Sequence, residues 1–168
     1  MTDRTQSQGA KRIGELLTEI GLITPRQLEQ ALERQRSTGQ FLGVILLKMG
    51  VLTEQGLLQA MSRQFGIPHE PLDPAHVDWA VAKQFSPSVL NEGKGFPIRA
   101  DERSVTVAIT NPLDVWTLSA VERSAGVRTV RPVLVLEREL RVVVREYRRQ
   151  MLQALEARLN GETDGQTQ

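Results

Sequence analysis

Three residue types in the first 64 positions have the chemistry to hold a ligand, and most of them occur twice at a constant interval. Gly14 and Gln35 recur as Gly43 and Gln64, a shift of 29 residues, and Arg12 stands just ahead of the first glycine. An arginine fork fits a phosphate or the O6/N7 edge of a guanine, and a glutamine amide both donates and accepts at a base edge. A glycine inside a helix costs about 1 kcal/mol relative to alanine, so a recurring one points to something that approaches the backbone closely. Amides near a helix start also favour an anion. Between these groups lie apolar side chains in register: Ile13, Leu28 and Leu32 in the first copy, and Leu42, Leu57 and Met61 in the second. On pattern alone these six read as core. Taken with the polar groups, they suit a ligand with flat apolar faces, polar edges and negative charge.

The elements that position these residues follow from capping and periodicity. Ile13, Leu16, Leu17 and Ile20 fit a short amphipathic helix that Gly21 ends. Thr24-Pro25-Arg26-Gln27 opens a second helix with a capping box, and Gly39 closes it. The second copy repeats the plan from Phe41 to Met49 and from Thr53 to Gly66, but Gly56 replaces the N3 residue of the capping box. The expectation is four helices in two antiparallel pairs.

After Ile67 the texture changes. The prolines at 68, 71 and 74 punctuate an extended segment, and a helix is expected over Ala75–Phe85, with a helical turn after Pro87. Gly95–Arg99 and Val105–Thr110 read as two strands joined by the turn Asp101-Glu102-Arg103. Asn111-Pro112-Leu113-Asp114 breaks the second strand and starts a helix to Ser124, which Gly126 ends. Val127–Val135 reads as a third strand, with Pro132 marking an edge. Glu137–Arg158 is the last helix, with Leu140, Val143, Val144 and Tyr147 on one side. The fold class is therefore α+β: a tandem helical-hairpin subdomain over residues 11–66, then a small sheet with helices on one face over 67–159. Residues 1–10 and 160–168 are polar and read as a disordered arm and tail.

Composition narrows the function. The 168 residues carry a formal net charge of +1, which leaves no global field toward nucleic acid. No cysteine is present, so disulfides, thiolate metal sites and cysteine nucleophiles are excluded. His69 and His76 lack a zinc-ligand spacing, and no phosphate-binding loop, nucleophile elbow or HExxH motif occurs. The polar N-terminus lacks the apolar stretch of a secretory signal, and no apolar run reaches the roughly 18 residues of a membrane span. The arginines of the last helix alternate with Glu137, Glu139 and Glu146, which reads as a solvated face rather than a DNA surface. The reading is a non-enzymatic cytoplasmic protein without metal or cofactor, DNA partner or membrane insertion.

The repeated pattern R-I-G-x-x-L-x-x-x-G-x-x-T-x-x-x-L-x-x-x-L-x-x-Q resembles the tandem motif of the MshEN domain, found at the N-terminus of GspE-type secretion ATPases and type IV pilus extension ATPases. The resemblance runs from about Lys11 to Arg149. It implies binding of cyclic di-GMP, or docking to a secretion or pilus apparatus protein such as an ATPase. Carried over by position, it implies a first half-site of Arg12, Ile13, Gly14, Leu28, Leu32 and Gln35, and a second of Leu42, Gly43, Leu57, Met61 and Gln64. The apolar side chains would pack on guanine faces and the glycines would admit phosphates. Phe41 stands where the first copy has Arg12, and Ile13 and Met61 replace family leucines. Both a stand-alone receptor and the N-terminal piece of a longer protein fit the sequence.

Overall fold

Each copy of the repeat folds as a short helix, a glycine turn and a longer helix: α1 (Ile13–Glu19) and α2 (Pro25–Thr38), then α3 (Leu42–Lys48) and α4 (Glu54–Phe65). The computed structural model describes residues 12–86, 90, 95–126 and 129–164, with the backbone alone at 115–118 and 160–164. Gly21 and Gly50 take φ of 74° and 69° just past α1 and α3, a region closed to most side chains. Thr24 and Gln27 form the expected reciprocal capping box, with the Thr24 amide donating to Gln27 Oε1 at 2.7 Å. At α4, Thr53 Oγ1 accepts from Gly56 N at 3.1 Å, and Gly56 has no side chain to complete the box.

The copies interlock. The closest helix contacts run between them, α2 with α3 and α1 with α4, rather than within each copy. The core they enclose is repeat-symmetric: Leu17 with Leu46, Ile23 with Leu52 and Ala31 with Ala60, joined by Ile45. The interlock also explains Gly56. A Cβ there would meet Leu22 Cδ1, from the first copy's turn, at 3.3 Å and Leu52 Cδ1 at 3.2 Å.

The chain divides into two compact units, Met1–His69 and Glu70–Gln168. In the second, β1 (Gly95–Ala100) and β2 (Ser104–Ile109) form the expected antiparallel hairpin. β3 (Thr129–Leu134) pairs parallel to β2, giving the order β1-β2-β3. The parallel step follows from the crossover helix α6 (Val115–Ala125) between them. Pro97 and Pro132 thus both lie on outer strands, where a missing N–H is tolerated.

The helix expected over Ala75–Phe85 is replaced by a 3-10 turn (Pro74–His76) and a four-residue helix, α5 (Trp79–Ala82). Two caps compete for the segment: Asp73 accepts from Ala75 N, while Asp78 accepts from Ala80 N and Val81 N, with extended Val77 between them. The turn expected after Pro87 lies almost wholly outside the described residues, as does the N-terminal arm.

The last helix, α7 (Glu137–Asp164), buries Leu140, Val143, Val144 and Tyr147. Phe96 sits edge-on to both Trp79 and Tyr147, with ring centroids 6.2 and 5.6 Å apart. Glu139 Oε2 accepts from Leu136 N at 3.2 Å and from Leu72 N at 3.3 Å, tying the α7 cap to the segment entering the unit. α7 extends to Asp164, into the stretch whose polar composition suggested a disordered tail.

Candidate functional site

The recurring apolar residues are not the core of the tandem. The buried positions include Leu17/Leu46, Ile23/Leu52, Ala31/Ala60, Ile45 and Leu58, whereas Ile13, Leu28, Leu32, Leu42, Leu57 and Met61 are all only half-buried. Ile13, Leu28, Leu42 and Leu57 pack on that core from outside. The 3-4 spacing of a helix marks a face but does not rank depth within it. The motif thus supplies a shell of apolar groups with part of each side chain still open to solvent.

Two clusters within that shell are tight. At Gly14 an added Cβ would lie 2.6 Å from Leu28 Cδ1 and 3.1 Å from Leu42 Cδ2, so this glycine brings together α1, α2 and the second copy's α3. At Gly43 an added Cβ would lie 3.0 and 3.1 Å from the two Leu57 methyls. Both glycines thus sit in close contact with neighbouring side chains, Gly14 more tightly than Gly43. The atoms that approach them are leucine methyls of the same chain.

The polar members are placed differently. Arg12 is the N-cap residue of α1, in extended conformation and exposed to solvent. Gln35 donates through Nε2 to the Gln40 carbonyl at 3.1 Å, bracing the turn into α3. Gln64 is half-buried, with its Oε1 closed off from solvent. Phe41, the counterpart of Arg12, is 73% exposed at the N-cap of α3.

A cleft of about 660 Å³ opens between α1 and α2, floored by Pro25, Leu28 and Leu32 and rimmed by Glu15, Glu19, Glu29, Glu33 and Arg36. Four carboxylates against one guanidinium repel an anion. The sequence carried a sign of this rim: like charges at i, i+4 in Glu15/Glu19 and Glu29/Glu33, an arrangement that disfavours an isolated helix. Among the described residues, no group of three His, Asp or Glu could hold a metal, and no helix is long and apolar enough to cross a membrane.

Solved structures share this α+β fold. The N-terminal domain of XpsE superposes with a TM-score of 0.59 at 17% identity, covering 83% of this chain and 97% of that one. The structure of MshE with cdg superposes with a TM-score of 0.75 at 29% identity, covering 82% of this chain and 99% of that one. That span is too long for the second unit alone, so it includes part of the helical tandem. A sequence model of the MshEN domain matches residues 65–154, more than half of the chain, and the protein belongs to the MshEN domain family. The type IV pilus assembly ATPase PilB of Thermus thermophilus is 36% identical over 120 residues, 70% of this chain. The chain spans 14% of that relative's length.

Proposed function

We propose that this chain is a non-catalytic cytoplasmic module that binds cyclic di-GMP on its helical tandem and passes occupancy to a protein of a secretion or type IV pilus system. One observation carries the reading: the apolar residues of the repeat form a half-exposed, two-fold shell around a separate core. Cyclic di-GMP is itself two-fold, with two guanines and two phosphodiesters. The related MshE was solved with cdg, which we take to be this nucleotide.

In this reading Ile13, Leu28, Leu32, Leu42, Leu57 and Met61 offer their open sides to the guanine faces. Gly14 and Gly43 seat the leucines at the depth this requires. Arg12 meets a phosphate or a guanine edge, while Gln35 and Gln64 hold the polar rim. The two halves are unequal, because Phe41 offers an aromatic ring where Arg12 offers charge.

A nucleotide-independent docking module is the second reading, favoured by exposed Phe41 and by the acidic rim of the α1–α2 cleft. Affinities of two variants separate the readings. Arg12→Ala should weaken nucleotide binding about tenfold, and Phe41→Arg should tighten it by a similar factor, each about 1.4 kcal/mol. Unchanged affinity in both variants would remove these positions from the site.

A further inference from the structure

One lysine of the helical tandem is not placed as a helix-end charge. Lys48 is the last residue of α3. A cation in the last turn of a helix ordinarily serves the free carbonyls at that end. The Lys48 ammonium turns the other way: Nζ donates to Gln40 Oε1 at 3.1 Å, eight residues back and before the helix begins. Between them the two side chains span α3, which is about 10 Å long. Helical side chains lean toward the N-terminus, and residues 41, 44 and 48 share one face. The charge is therefore drawn toward the Phe41 end of α3, along the face that carries exposed Phe41 and Val44.

The repeat register shows what this charge replaces. At the shift of 29 residues Arg12 falls on Phe41 and Glu19 falls on Lys48. The second short helix thus loses the cation at its start and gains one, in place of an acid, at its end. Arg63, the other cation of the second copy, falls on Arg34 and does not distinguish the copies. Gln40 also joins Lys48 to the first half-site. Its carbonyl accepts from Gln35 Nε2 at 3.1 Å, so the ammonium and the Gln35 amide are held by one residue. A neutral amide holds the ammonium without cancelling its charge, and among the described residues no carboxylate pairs with Lys48.

An ammonium is a compact point charge with three donors, suited to phosphate oxygens, whereas the planar fork of Arg12 also fits a guanine edge. We propose that Lys48 is the second cationic contact of the nucleotide site, binding the phosphodiester on the Phe41 side while Gln40 fixes its position. The inference rests on the cyclic di-GMP reading and adds to it a residue outside the repeated motif. Charge then reaches the ligand from both copies, although the motif arginine occurs only once.

The test is calorimetric titration of the full chain with cyclic di-GMP at low and at high salt. Lys48→Gln should weaken binding about tenfold and lessen its loss with salt. Lys48→Arg should keep most of the affinity. Adding Phe41→Arg to Lys48→Gln should recover it, by returning a cation to the register of Arg12. Gln40→Ala should cost less than Lys48→Gln, because the charge remains and only its position is freed. Lys48 is exposed, so circular dichroism of its variants should match the parent. Parent-like affinity in Lys48→Gln would overturn the proposal and leave nucleotide binding standing. A loss that neither arginine variant recovers would also overturn it, since a structural role does not follow the charge. No binding by the parent chain would overturn the nucleotide reading and this proposal together.

Discussion

Replacing Gly14 with alanine sets two known effects against each other, and the geometry decides between them. Alanine is the better helix former by about 1 kcal/mol. The added methyl, however, would sit 2.6 Å from Leu28 Cδ1 and 3.1 Å from Leu42 Cδ2. Carbon atoms prefer about 3.5–4.0 Å, so Leu28 must move by about 1 Å and Leu42 by a few tenths of an ångström, an overpacking cost of about 1–3 kcal/mol. The expected net loss is about 1 kcal/mol. Gly43→Ala meets Leu57 at 3.0 and 3.1 Å, a milder conflict, and should come out near neutral.

The assay can isolate the helical tandem. Both tryptophans, Trp79 and Trp116, lie in the second unit, so their fluorescence follows that unit while far-ultraviolet circular dichroism follows both. Gly14→Ala should lower the urea midpoint in dichroism and leave the fluorescence midpoint in place. Adding Leu28→Ala to the Gly14→Ala protein should cost less than Leu28→Ala alone, because the clash is gone. A Gly14→Ala protein as stable as Gly43→Ala, or stabilised by the full propensity gain, would refute the close-approach argument.

Two further perturbations report on the second unit. Hydrogen bonds from Arg103 N, then from the Ser104 hydroxyl and amide, hold the Asp101 carboxyl below the usual range, so its contribution is present above about pH 4 and is lost as pH falls through the lowered value. The fluorescence-monitored midpoint should therefore fall with acid, and Asp101→Asn should flatten that dependence; an identical slope in the variant contradicts it. Glu139→Ala removes the acceptor of two part-buried amides, Leu72 N and Leu136 N, and should cost about 1–3 kcal/mol in the same assay. Glu139→Gln keeps an acceptor and should recover most of it; equal losses in the two variants would point to another cause.

Local chemistry was legible in the sequence where a single short motif decides it. The Thr24–Gln27 capping box, the glycine stops, the hairpin about Asp101 and the outer position of Pro132 all belong to this kind. Depth and partnership were not legible. Leu16 and Leu17 look alike in the repeat, yet Leu17 is buried and Leu16 is not. A repeat describes one copy and is silent on which copy its helices pack against, so the interlock and the role of Gly56 beside Leu22 emerged only in three dimensions. The segment Ala75–Phe85 was read as one helix, and it is divided because the N-cap of Asp78 competes with that of Asp73 five residues earlier. At the candidate site the residue types and register were visible, whereas their half-exposed placement outside the core was not.

The most direct measurement is calorimetric titration of the full chain with cyclic di-GMP. Binding on the tandem should give saturable heat at one nucleotide, or one stacked nucleotide unit, per chain, with affinity of about micromolar or better. The absence of heat up to tens of micromolar nucleotide (about −6 kcal/mol of binding free energy or weaker) would contradict it and leave the helical tandem as a docking surface alone.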